Sequence, residues 1–159
     1  VTLGLAQRLH EYCLQLAYCI QDNSWIFNED MLEKADEEWL KIGFRQSYAV
    51  IEQLLNSKET KMGRRNQVLY CIGKLNTYSF TTKEIEDMIK SRFTDTCDTS
   101  NLGVNSILKE LSEKKDPIIR RVETQGRYEI VDSRYLLTIR MMMERDVSGK
   151  KVLFKSFNF

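Results

Sequence analysis

"PIIRRVETQGRYEIVDSRYLLTIR", residues 117–140, holds two short alternating runs on either side of Gly126 and passes without a break into a helical run. Pro117 lacks a backbone N–H and bars any helix before it from continuing, so Ile118–Glu123 reads as a strand. Gly126 suits the turn of a hairpin and Tyr128–Val131 the returning strand, with Arg120, Arg121, Gln125 and Arg127 flanking the tip. Asp132 or Ser133 can then cap a final helix that is expected to run to about Arg145.

Upstream of Pro117 the period changes from two to between three and four. Leu102, Val104, Ile107, Leu108 and Leu111 recur at helical spacing. Before them, "TDTCDTSN", residues 94–101, is rich in turn formers. Thr81 stands three residues before Glu84, the spacing of a capping box, ahead of Ile85, Met88 and Ile89. "TYSF", residues 77–80, is long enough only for an edge strand or an extended link, and Val68, Leu69, Ile72 and Leu75 mark a helix before it. The order helix, short strand, helix, turn, helix, hairpin, helix is that of a winged helix-turn-helix, expected over residues 61–145.

The N-terminal residues read differently. Leu5, Leu9, Tyr12, Cys13, Leu16, Ala17 and Ile20 form one broad stripe on a helix. Asn28 is an N-cap candidate, with Glu29 and Asp30 in the first turn of a second helix to about residue 40. Gly43 is expected to bend or interrupt it before Phe44, Ala49, Val50, Leu54 and Leu55 resume the pattern. "SKETKMGRR", residues 57–65, has almost nothing apolar to bury and is the best domain boundary in the chain. The expected fold is therefore mainly α with a small β-hairpin: a helical, lid-like subdomain over 1–60, the winged helix-turn-helix over 61–145, and an apolar C-terminal tail over 146–159. In that tail Val152, Leu153, Phe154, Phe157 and Phe159 pack within the domain, add a strand or dock on a partner.

Charge divides at the same boundary. Residues 1–60 hold 5 Lys/Arg against 10 Asp/Glu, and residues 61–159 hold 19 against 13. Two readings stand: an acidic scaffold beside a basic contact surface, or two solvated surfaces. Four cysteines without a CxxC pair and one histidine, His10, leave no metal spacing to read. Cys13 and Cys19 lie among apolar residues and are expected to be buried thiols, which suits a reducing, cytoplasmic setting. No run is apolar enough to span a membrane, and the opening residues lack the layout of a signal peptide. A chain that starts at Val1 and enters a helical pattern at once is expected to be part of something longer.

"GRYEIVDSRYLLTIRMM", residues 126–142, resembles the C-terminal winged-helix segment of archaeal-type and STAND-like P-loop ATPases, and more loosely origin-recognition AAA+ proteins, over roughly residues 66–145. "GLAQRLHEYCLQLAYCIQDNSWIFNEDMLEKA", residues 4–35, is similar to the lid helices that follow their nucleotide-binding core. The resemblance implies a non-catalytic module, with an upstream ATPase core or a neighbouring subunit as one partner. Arg8 occupies a place where such lids can carry a nucleotide-sensing arginine, although Ala6 replaces the proline often seen there and a plain solvated arginine is the competing reading. The chain has no GxxxxGK[ST] loop, so no nucleotide cofactor is expected on it.

Double-stranded DNA is the partner that the polar faces suggest. Ser100, Asn101, Asn105, Ser106 and Lys109 fall opposite Leu102, Ile107 and Leu111 on the third helix of the module, where asparagine can pair with adenine edges and serine and lysine with phosphate. Arg121, Gln125 and Arg127 on the hairpin, with Arg64 and Arg65 at the start of the first helix, can reach a backbone or minor groove. The competing reading is a merely solvated face, since Glu110 and Glu113 share the helix and would repel phosphate. Catalysis is not expected: Glu29 with Asp30 and Asp36 with Glu37 are adjacent and diverge around a helix. The alternative function is a protein-interaction, autoinhibitory or oligomerisation module that touches no nucleic acid.

Overall fold

A computed structural model describes residues 6–55, 63–93, 102–122 and 124–155. Along them run α1 (Ala6–Asp22), α2 (Asp30–Leu54), α3 (Arg64–Gly73), β1 (Ser79–Phe80), α4 (Thr82–Arg92), α5 (Val104–Glu113), β2 (Ile119–Val122), β3 (Arg127–Ile130), α6 (Ser133–Met142), β4 (Met143–Arg145) and β5 (Val152–Phe154). The protein is mainly helical with small antiparallel sheets. It divides into two compact units, residues 1–48 and residues 49–158.

In the first unit α1 and the first part of α2 are clipped together by aromatic edges. Tyr12 meets Trp39 edge-on with ring centres 5.8 Å apart, and Trp39 meets Phe44 at 5.0 Å. Such T-shaped pairs add to the burial of large rings. Asn28 caps α2 by accepting from the Met31 N–H at 3.2 Å, and Asp30 and Glu33 lie in the first turn, where the helix dipole favours acid.

α2 passes through Gly43 unbroken, contrary to the expected interruption. A mid-helix glycine costs only about 1 kcal/mol, and the buried Trp39 and Phe44 on either side anchor the helix more strongly than that. Cys13 also departs from expectation, for it is exposed while Cys19 is buried. The covered face of α1 follows Tyr12, Leu16 and Cys19 at i, i+4 and i+7, and one residue further round turns Cys13 about 100° away.

The second unit is built around α3, whose residues Asn66–Gly73 are all buried, with α4, α5 and α6 packed against it. Tyr70 meets Phe93 edge-on at 5.7 Å. The first sheet has the order β1-β3-β2, all antiparallel, so β3, the last of the three in sequence, sits in the middle. Ile119 faces Ile130, and Phe80 faces Tyr128 with their rings stacked at 6.0 Å, which closes the sheet over the helices. "TYSF" supplies the edge strand through Ser79 and Phe80. The capping box of α4 is present, with Thr81 and Glu84 each bonded to the other's backbone N–H.

Asp132 caps α6 by accepting from the Arg134 N–H at 2.8 Å. The helix ends at Met142 and not near Arg145, because Met143 turns extended and pairs with Phe154. β4 and β5 form a separate two-stranded hairpin, so part of the tail adds a strand, while Phe157 and Phe159 lie outside the described residues. The stretch expected to separate the domains is largely outside them as well, at residues 56–62.

Candidate nucleic-acid interface

α5 owes its orientation to a single buried face. Val104, Leu108 and Leu111, at i, i+4 and i+7, are buried, and Leu102 just ahead of the helix is buried with them. Gly103, at φ +63°, turns the chain into the helix through a left-handed conformation that suits glycine. Asn105, Ser106 and Lys109 emerge on the exposed side. Ser100 and Asn101, expected on the same face, lie outside the described residues, as does the turn that joins α4 to α5.

The acidic residues of α5 are partly answered by neighbouring cations. The Arg65 guanidinium donates to the Glu110 carboxylate from α3, and Lys114 stands 3.8 Å from the same side chain. Glu113 is 3.9 Å from Lys109 across one turn, with both side chains more than half exposed, so that pair is weak and easily exchanged. The repulsion of phosphate anticipated from Glu110 is therefore reduced by two cations. Arg65 in turn is a clamp between α3 and α5.

β2 follows α5 and packs against it, which brings the β2–β3 hairpin beside the helix. Gly126 makes the turn at φ +60°. Arg121 and Gln125 are exposed on the hairpin, whereas Arg127 is half-buried and tied to the edge strand. Its Nε donates to the Ser79 hydroxyl at 3.0 Å and its NH2 group to the Ser79 carbonyl at 3.3 Å. Arg120 forms a forked pair with Glu129 directly across the ladder, at 3.0 and 2.7 Å. Arg64 donates to Gln67 Oε1 at 2.9 Å, and partial burial pushes its guanidinium below the usual arginine value.

The structure thus places Asn105, Ser106, Lys109, Arg121 and Gln125 on exposed surface of the second unit. Arg64, Arg65 and Arg127 carry structural bonds in addition to their charge. Sequence reasoning missed those bonds. The Arg120–Glu129 pair had a readable signal, since a turn at Gly126 sets a register in which the two face each other. Arg65 and Glu110 are 45 residues apart and offered none.

Among the described residues no group of three or more His, Cys, Asp or Glu side chains could hold a metal ion, and no helix is long and apolar enough to cross a membrane. Comparison with protein-family models, curated proteins and solved structures returns no match.

Proposed function

We propose that residues 61–145 form a winged helix-turn-helix that binds double-stranded DNA through α5 and the β2–β3 hairpin, as the non-catalytic C-terminal module of a larger, cytoplasmic P-loop ATPase. The element order from α3 to β3, with the short β1 between the first two helices and the sheet order β1-β3-β2, supports the winged-helix reading. One observation carries the DNA reading: α5 buries its apolar face and leaves Asn105, Ser106 and Lys109 exposed, and it packs against β2 of the hairpin that carries the exposed Arg121 and Gln125. Asparagine can read adenine edges in a major groove, while lysine and arginine neutralise phosphates.

Fluorescence titration of the chain with duplex DNA at several salt concentrations tests this. Binding should weaken by roughly 0.9 log unit per log unit of salt for each phosphate neutralised. Replacing Lys109 and Arg121 with alanine should flatten that slope. No binding at low salt defeats the DNA reading.

The second reading, a protein-interaction or oligomerisation module, is favoured by the apolar turn between α1 and α2. There Trp25, Ile26 and Phe27 stand exposed in succession.

A further inference from the structure

We propose that the chain associates head to tail with a second copy of itself, the acidic apolar turn between α1 and α2 of one copy docking on the basic apolar hairpin β4–β5 of the next. This deepens the protein-interaction reading and is independent of DNA binding.

The turn is built to display its side chains. Trp25, Ile26 and Phe27 are 72%, 64% and 56% exposed, three consecutive large apolar residues held in solvent. The Trp25 N–H donates to the Ile20 carbonyl at 2.9 Å, and the Asn23 side-chain amide donates to the Ile26 carbonyl at 2.7 Å. Ser24 and Trp25 adopt φ +56° and +64°, left-handed although neither is glycine. A backbone of that kind persists where its surroundings over-determine it and concentrates at sites that contact ligands or partners. Large aromatic anchors are also what dominates the energy of protein interfaces. Asp22, Glu29, Asp30 and Glu33 are exposed around this turn.

The second unit carries the complementary surface. Leu153 and Phe154 on β5 and Val147 in the turn are exposed, and Lys150 and Lys151 are exposed beside them, while Lys155 pairs with the Glu144 carboxylate of β4 and leaves the hairpin a net positive charge. Asp146 fixes the hairpin turn, its Oδ1 accepting from the Lys150 and Lys151 N–H groups at 2.8 and 3.0 Å. Residues 1–48 carry 4 Lys/Arg against 8 Asp/Glu, and residues 49–158 carry 20 against 15. Two acidic turns repel each other and two basic hairpins do the same, so the favoured contact joins unlike surfaces. Such a contact is heterologous: a dimer keeps one unused turn on one copy and one unused hairpin on the other, and assembly continues until a ring closes.

Sedimentation velocity of the chain without DNA, over a wide concentration range at low and high salt, tests the proposal. The average mass should rise with concentration and fall as salt screens the contact. Trp25→Asn, whose new residue tolerates the left-handed backbone, and Leu153→Gln should each weaken association about tenfold or more. Unchanged circular dichroism and urea midpoints would show both variants folded. Mixed together, the two variants should form a one-to-one pair, because one retains the hairpin and the other the turn. A wild-type chain that stays monomeric overturns the proposal, as does a mixture that does not pair. So does association that survives Leu153→Gln, which would mean turn against turn. A monomer that partitions onto phosphatidylcholine vesicles through Trp25 overturns it in favour of a lipid occupant.

Discussion

A Cβ added to Gly73 would come within 2.6 Å of Ile139 Cγ2, so α3 and α6 touch at a point where no side chain fits between them. The next residue on α6, Arg140, donates to the carbonyls of Gly73 and Leu75, answering the C-terminal end of α3 with a charged fork. One turn of α6 therefore both packs on α3 and terminates it. Gly73→Ala should destabilise the second unit by about 1–3 kcal/mol from overpacking, less up to about 1 kcal/mol regained in helix propensity. The urea midpoint should fall. In an Ile139→Ala background the 2.6 Å clash with Cγ2 is gone and only the 3.3 Å approach to the Ile139 Cβ position remains, so the same substitution should lose most of its penalty in a double-mutant cycle.

Arg121 and Arg127 are two residues of the same kind expected to behave differently. Arg127 is anchored on Ser79 by two hydrogen bonds, so Arg127→Ala should lower stability by about 1 kcal/mol as well as weaken DNA binding. Arg121 is exposed, and Arg121→Ala should leave the urea midpoint unchanged while reducing the salt slope of duplex binding by about 0.9. Equal loss of stability in both would contradict the assignment.

The elements of the second unit were legible because local signals agreed. Pro117, the Thr81–Glu84 capping box, Asp132 and the glycine at 126 each mark one boundary without reference to the rest of the fold. Gly43 misled because its local cost was outweighed by the buried aromatics around it, which no propensity records. The end of α6 was overrun because Met143 keeps the helical apolar pattern while its backbone is committed to Phe154, eleven residues away. At the candidate interface, the exposed positions of α5 followed from helical phase. The engagement of Arg65 and Arg127 did not, because it depends on pairings 45 and 48 residues apart that only the folded chain brings together.

The cysteines offer a test of burial in the two units separately. Burial pushes the Cys71 thiol up to about 12, so it carries almost no thiolate near neutral pH and is also shielded from reagents. Cys13 is exposed on α1. Alkylation of the native chain followed by peptide mass mapping should modify Cys13 promptly and Cys71 only after denaturant unfolds the second unit. Rapid native labelling of Cys71 would mean that α3 is not the buried centre of that unit.

The start of α4 should respond to pH in a defined direction. The Thr81 N–H donates to Glu84 Oε2 at 2.6 Å and the Thr81 hydroxyl to the same oxygen at 2.9 Å. These bonds favour the ionised carboxylate and hold Glu84 below the usual glutamate value. A group whose pKa is depressed by folding contributes stability above its unfolded pKa and loses that contribution as pH falls through the folded one. Glu84→Gln should therefore lower the urea midpoint slightly at neutral pH, and the gap to the parent chain should close under acid conditions. The effect is small because the carboxylate is exposed and screened by solvent. Thr81→Ala removes the hydroxyl that accepts from the Glu84 N–H at 3.2 Å and should cost about 1 kcal/mol, because the helix loses a cap as well as a charge-assisted bond. A Glu84→Gln gap that widens in acid would reverse the sign and exclude the capping box as its cause.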